Sequence, residues 1–242
     1  MSDTLYLSLW YPNLRLEALA DKLTAVLGAF AAHGGEAKVY AATVWPVNWS
    51  EAPVFQRVYG RMGGNPESTP GAEPRLAVEE ALELLHDDYV YEFQIGWSLW
   101  ELESGDAGED ARTTAGEPPH GLRPVRGGPG DKTGCTLETG GTGRWARGPR
   151  LVRVTGYGPL FDEGAYEQDG HIRIDFGSDT PFLEEDADLD RVGARHVEEN
   201  VRQLIELASG VEIASGATAR LLWSELGESL AQRLAERLGM RN

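Results

Sequence analysis

Tyr89-Val-Tyr-Glu-Phe-Gln-Ile-Gly-Trp-Ser-Leu-Trp-Glu-Leu102 is the stretch on which the fold turns. Tyr89, Tyr91, Phe93, Ile95, Trp97 and Leu99 occupy alternate positions, with Glu92, Gln94 and Ser98 between them. Side chains on a strand alternate between the two faces of a sheet, so this pattern predicts a long strand with one face on the core. A helix would scatter those six apolar residues around its circumference. Residues 4–11 repeat the pattern, with Leu5, Leu7 and Leu9 on one side.

Between these two strands, Asn13 after Pro12 can cap a helix whose Leu16, Leu19, Leu23, Val26, Leu27 and Phe30 recur at intervals of three and four, and Gly34-Gly35 ends it. Residues 38–46 and 53–59 read as two strands of a hairpin joined by a loop over 47–52. A Gly/Pro stretch then leads to a short helix opened by Pro74, with Leu76, Ala77, Ala81, Leu84 and Leu85 inward. The resulting order, strand, helix, strand, strand, helix, strand, matches the split βαβ of ferredoxin-like folds.

Beyond it, residues 103–150 hold 12 of the 30 glycines and five prolines, and few large apolar residues. They read as a flexible insertion, because residues 151–157 and 171–176 alternate again and extend the same sheet. Asp188 and Asp190 open a helix through Ala208, with Val197, Val201, Leu204 and Ile205 inward and Gly210 as its stop. Leu222, Leu226, Leu230, Leu234 and Leu238, every four residues, mark a last helix, and residues 219–223 read either as one more strand or as its first turn. The expectation is one α+β domain over 1–242: a mostly antiparallel sheet with a ferredoxin-like βαββαβ start, extended by a β-hairpin and two C-terminal helices.

Composition narrows the function. The 242 residues carry 39 Asp and Glu against 22 Lys and Arg, a formal net charge of −17. Such a chain is a poor ligand for nucleic acid phosphates and is repelled by anionic membranes. A single cysteine, Cys135, can form neither an internal disulfide nor a thiolate metal cage. No signal-like leader or membrane-length apolar run is visible, so a cytoplasmic location is expected.

Candidate motifs are weak one by one. Asp186-Ala-Asp188-Leu-Asp190 resembles a calcium loop, but Arg191 stands where the sharp turn wants Gly and Val197 where a bidentate Glu is required. In Gly128-Pro129-Gly130-Asp131-Lys132-Thr133, Asp131 separates the Gly and Lys that a phosphate loop needs adjacent. No metal or cofactor is expected. His171, Arg173 and Asp175 share a strand face with His171 and Asp175 too far apart to touch directly, and His196, Glu199 and Asn200 lie at helical spacing. Cys135 has no base near it in sequence. Trp10, Trp97 and Trp223 sit on periodic apolar elements and read as core. Trp45 and Trp49 fall at the hairpin tip instead, where aromatic side chains serve as binding anchors.

The charge is unevenly spread. Residues 103–150 contain seven acidic and seven basic residues, so the excess belongs to the rest. Residues 161–200 alone hold 13 acidic and three basic ones, Arg173, Arg191 and Arg195. A surface of one sign steers a cationic partner and repels polyanions.

With its acidic, Trp-rich α+β layout, the strand Gly170-His-Ile-Arg-Ile-Asp-Phe-Gly177 and the late segment Leu222-Trp-Ser-Glu-Leu-Gly-Glu228, the chain resembles the immunity proteins of bacterial contact-dependent and type VI toxin systems. The resemblance implies a non-catalytic inhibitor that occludes one cognate toxin, often a nuclease. The expected contact residues are Glu184, Glu185, Asp186 and Asp188 in the acidic stretch, with Trp49 and Trp45. The competing expectation is a small-molecule-binding protein or enzyme using the sheet face near His171, Asp175 and Glu92, which requires a pocket with convergent polar groups.

Overall fold

The structure is a computed structural model and describes residues 3–62, 70–103, 136–140, 143–183, 189–225 and 233. Its eight strands are β1 (Thr4–Trp10), β2 (Gly35–Pro46), β3 (Phe55–Val58), β4 (Tyr89–Glu103), β5 (Thr136–Gly140), β6 (Gly143–Tyr157), β7 (Ile172–Ser178) and β8 (Ala219–Ser224). They form one sheet in the order β3-β2-β4-β6-β7-β1-β8, with β5 also beside β6. The helices are α1 (Leu19–Ala32), α2 (Pro74–Ala81), the single turns α3 (Tyr166–Asp169) and α4 (Thr180–Leu183), and α5 (Arg191–Ser215). Among the described residues no helix is long and apolar enough to cross a membrane.

The α+β class and the antiparallel sheet are as the periodicity implies. Leu5, Leu7 and Leu9 of β1, Tyr91, Phe93, Ile95, Trp97 and Leu99 of β4, Val152 and Val154 of β6 and Ile172, Ile174 and Phe176 of β7 are all at most 1% exposed. They face Leu23, Val26, Leu27 and Phe30 of α1 and Val201, Leu204, Leu207 and Val211 of α5 in one core. Fully burying a side chain of this size stabilises by about 1.5–3 kcal/mol relative to exposure, so this helix-covered face is what holds the sheet together.

Pairing departs from the ferredoxin-like start. In a split βαβ the two helix-linked strands run parallel with one strand between them: β3 and β4 meet this on either side of β2, whereas β1 and β2 are separated by β4, β6 and β7, every neighbouring pair being antiparallel. The reason lies in β4, whose edge pairs with β6 from Val90↔Tyr157 to Glu103↔Arg144 and leaves no place for β1. β1 sits two strands further on, between β7 and β8. Residues 219–224 belong to β8, so Leu222 and Ser224 are strand where the last helix, about 224–238, was expected to begin, and beyond Glu225 only Arg233, paired with Asp179, falls among the described residues.

Several boundaries move for local reasons. Residues 143–150, assigned by composition to the insertion, are strand, and β5 covers 136–140; residues 104–135 lie outside the described residues. Trp145 supplies the apolar anchor there, 1% exposed against Trp100 and Val197. Asn13 does not cap α1: it is left-handed (φ 54°), and a 3-10 turn over Leu16–Ala18 precedes the helix. α2 turns Ala77, Val78 and Ala81 inward, while Leu76 and Leu84 stay half exposed, because the smaller side chains let the helix approach the core. Asp190 caps α5 through Gly193 N–H at 2.8 Å as expected, but the helix runs through Gly210 to Gly216 (φ 69°). Gly210 marks close approach: a Cβ there would strike the His33 imidazole. Val197, Val201 and Leu204 are buried as expected, whereas Ile205 is exposed and Leu207 and Ala208 continue the inward stripe.

One buried polar group completes the sheet. β2 begins at Gly35, paired with Trp97, and β4 continues without that partner to Glu103. Asn200 of α5, fully buried, takes the partner's place: Oδ1 accepts from Trp100 N–H at 3.0 Å, and Nδ2 donates to Trp100 O and Pro181 O at 2.8 Å each. A side-chain carboxamide thus does for β4 what a neighbouring peptide does in a ladder.

Candidate functional site

The face of the sheet away from the helices carries two polar rows set by register. Thr43, Glu92, Thr155, Arg173 and Ser8 lie side by side in one, and Gln94, Arg153, Asp175, Tyr6 and Trp223 in the other. Arg173 pairs with Asp169 and lies over the rings of Tyr6 and Tyr157, at 5.4 and 5.6 Å. The Tyr157 hydroxyl donates to Asp169 Oδ2 at 3.1 Å, and burial raises its pKa. Burial likewise raises the Glu92 carboxyl, against the opposing pull of Arg153 at 3.9 Å. Trp223 belongs to this face: it stacks on Tyr6 and donates to Ser8 Oγ at 3.0 Å.

The rows run out into a cluster of loops. β1, β2 and β6 end, and β4 and β7 begin, at the same end of the sheet. Among the described residues four non-glycine positions have positive φ, and all lie in these loops: Asn13 (54°), Val47 (60°), Asp162 (46°) and Glu163 (56°). For a β-branched residue such as Val47 this conformation is a genuine outlier, and left-handed non-glycine residues cost about 1–3 kcal/mol each. Cross-loop hydrogen bonds hold the arrangement, with Val47 N–H to Asp88 O and Leu160 N–H to Asp87 O at 2.7 Å and Asp162 N–H to Val47 O at 2.8 Å.

That backbone presents an apolar surface. Trp49, 40% exposed, packs edge-on to Phe161 with centroids 5.2 Å apart and lies 6.1 Å from Trp45. Val47, Val54 and Leu160 are also exposed, Leu160 at 61%. Trp45 is partly covered, and its indole N–H is buried without an acceptor among the described residues. Trp49 is therefore the accessible member of the expected pair, and Trp45 supports it.

Beside this surface lies a cleft of about 470 Å³ whose lining includes Trp10, Tyr11, Tyr157, Tyr166, His171 and Leu16. His171 Nδ1 accepts Tyr11 N–H at 3.3 Å, and its ring lies 4.8 Å from that of Tyr166. With Nδ1 occupied as an acceptor, the neutral ring carries its hydrogen on Nε2, and burial lowers its pKa. Trp10 thus lines a cleft, where the core was expected.

The other sequence candidates are dispersed. His171 faces the cleft, whereas Asp175 lies on the polar face of the sheet, accepting Gly177 N–H at 2.7 Å and standing 3.8 Å from Arg153. They form no acid–base pair. His196 stacks on Trp100 at 4.0 Å, Glu199 pairs with Arg147 at 2.7 Å, and Asn200 holds β4, so their helical spacing serves packing. Glu184, Glu185, Asp186 and Asp188 lie outside the described residues, as does Cys135. One group went unnoticed in the sequence: the donor atoms of His86, Asp87 and Asp88 lie within 4.8 Å of one another. The imidazole Nδ1 stands 3.0 Å from the Asp87 carboxylate and 2.5 Å from that of Asp88.

The loops at this end, residues 11–15, 47–54, 86–88 and 158–171, contain seven acidic residues and one basic residue, Arg15. Glu51, Asp162, Glu163 and Glu167 have no ion-pair partner among the described residues. No protein-family model, curated protein or solved structure matches this chain.

Proposed function

We propose that this protein is a non-catalytic binder of a cationic protein partner, engaged by the loop end of the sheet, and most concretely an immunity-type inhibitor of a toxin such as a nuclease. The observation that carries the reading is that three of the four left-handed non-glycine residues, Val47, Asp162 and Glu163, lie in the two loops that hold exposed Trp49 and its neighbour Phe161. Backbone strain persists where the surrounding structure over-determines it, and it clusters at sites of function. Exposed aromatic and aliphatic side chains supply the desolvated anchor of an interface. The uncompensated carboxylates around them speed encounter with a basic surface such as a nuclease groove and disfavour polyanions.

The test pairs the purified protein with the product of a toxin gene adjacent to its own. Trp49→Ala and the double change Asp162→Lys, Glu163→Lys are each expected to weaken the complex tenfold or more and to abolish protection of cells expressing the toxin. Absence of a complex with the wild-type protein, or unchanged affinity in both variants, overturns the proposal.

A further inference from the structure

The cleft beside Trp49 has a chemistry of its own. Its walls are rings: Trp10, Tyr11, Tyr157, Tyr166 and His171, with Leu14, Leu16 and Pro12 offering aliphatic surface. Tyr11 and Tyr157 are nearly buried and each already has a cation of the protein on its ring, Lys22 Nζ at 5.3 Å and the Arg173 guanidinium, itself paired with Asp169, at 5.6 Å, so Trp10, Tyr166 and His171 are the accessible rings. Aromatic faces attract cations, and a planar guanidinium also stacks on them while its methylene stem packs on apolar neighbours. Asp162, Glu163 and Glu167 are carried on the chain between lining residues Pro159 and His171 and have no ion-pair partner among the described residues. His171 adds no opposing charge near neutral pH, since burial favours its uncharged form.

We infer that this cleft seats the guanidinium of an arginine side chain carried by the partner. The inference rests on the partner-binding reading above and names the residue type that the partner inserts. Arginine fits better than a neutral apolar group because the loops are acidic. It fits better than lysine because the walls are flat rings that match a planar cation, and an ammonium is more strongly hydrated.

The probe is N-acetyl-argininamide, titrated against the whole protein by tryptophan fluorescence and by amide chemical shifts, beside N-acetyl-citrullinamide and N-acetyl-lysinamide. Citrulline keeps the shape of the arginine side chain and removes its charge. The expected result is saturable binding of the arginine probe in the millimolar range, at least tenfold weaker binding of the citrulline probe, and intermediate binding of the lysine probe. Tyr166→Leu retains apolar volume and removes a π face, and is expected to reduce arginine binding at least fivefold with an unchanged thermal melt. Equal affinity for arginine and citrulline probes, lysine binding as tight as arginine, or no saturation by the arginine probe overturns the inference. The two readings fail separately: a silent arginine probe with a Trp49-dependent toxin complex removes the arginine and keeps the partner, and a saturating probe without any toxin complex does the reverse.

Discussion

Replacing Asn200 by Asp changes one atom's chemistry in a fully buried position. The acceptor for Trp100 N–H is retained, and the two donations to Trp100 O and Pro181 O are lost. An ionised carboxylate would press an anionic oxygen against two carbonyl oxygens, so each carbonyl is left desolvated and unpaired. At about 2 kcal/mol for each such buried group, and before the cost of burying the charge itself, the loss at pH 7 is at least about 4 kcal/mol. For a chain of this length that corresponds to a fall in Tm of about 12 °C. Protonated Asp has one O–H and can satisfy one of the two carbonyls, so about half of the loss returns in acid. The assay is urea unfolding of Asn200→Asp and wild type, compared at the same pH, at pH 7 and again at pH 4.5. A loss under about 1 kcal/mol at pH 7 would refute the idea that Asn200 stands in for the missing strand. An equal loss at both values would refute the two-carbonyl geometry.

Two further outcomes test the polar face of the sheet and the strained loop. Glu92 has a folded-state pKa above its ordinary value of 4.5 because it is buried, so the folded protein binds more protons than the unfolded chain between those values, and stability falls as pH rises through that window. Glu92→Gln is expected to stabilise at pH 7, with the difference from wild type vanishing below about pH 4.5, where both states are protonated; urea titrations across pH 4–8 read it, and destabilisation at pH 7 contradicts it. Val47→Gly is expected to raise stability by about 1 kcal/mol, since glycine tolerates φ near 60° and the strain relieved slightly exceeds the added chain entropy. If the proposed partner binding holds, the same variant weakens that binding by loosening the Trp49 loop, and a loss of stability in thermal unfolding would show that Val47 is not strained.

The elements were legible wherever the signal was periodic. Alternation in 89–102 identified β4 and its core face residue by residue, and the spacing of Leu19, Leu23, Val26, Leu27 and Phe30 identified α1. Boundaries were less legible where one residue had two meanings. Gly210 looks like a helix stop and is a point of helix-to-helix approach, while the glycines around Trp145 look like a linker and lie within a strand. The charge pair Glu198 with Arg202 follows from local spacing and is present at 2.6 Å, but Glu199 turns to Arg147 on β6, a partner 52 residues away.

By itself the sequence determined the α+β class, most of the strands and helices, the apolar face of each strand and the acidic character of the whole, because periodicity and charge are local or additive properties of a chain. It also offered Trp49 and Trp45 as candidate contact residues, of which Trp49 is exposed. Tertiary structure alone decided which strand edges meet, that β1 lies between β7 and β8, that Asn200 substitutes for β2 and that His171 and Asp175 part company. It decided the candidate site as well. Asn13, Val47 and the adjacent pair Asp162 and Glu163 lie in three distant stretches of the chain; their common place at one end of the sheet exists only once long-range pairing has brought the loops together.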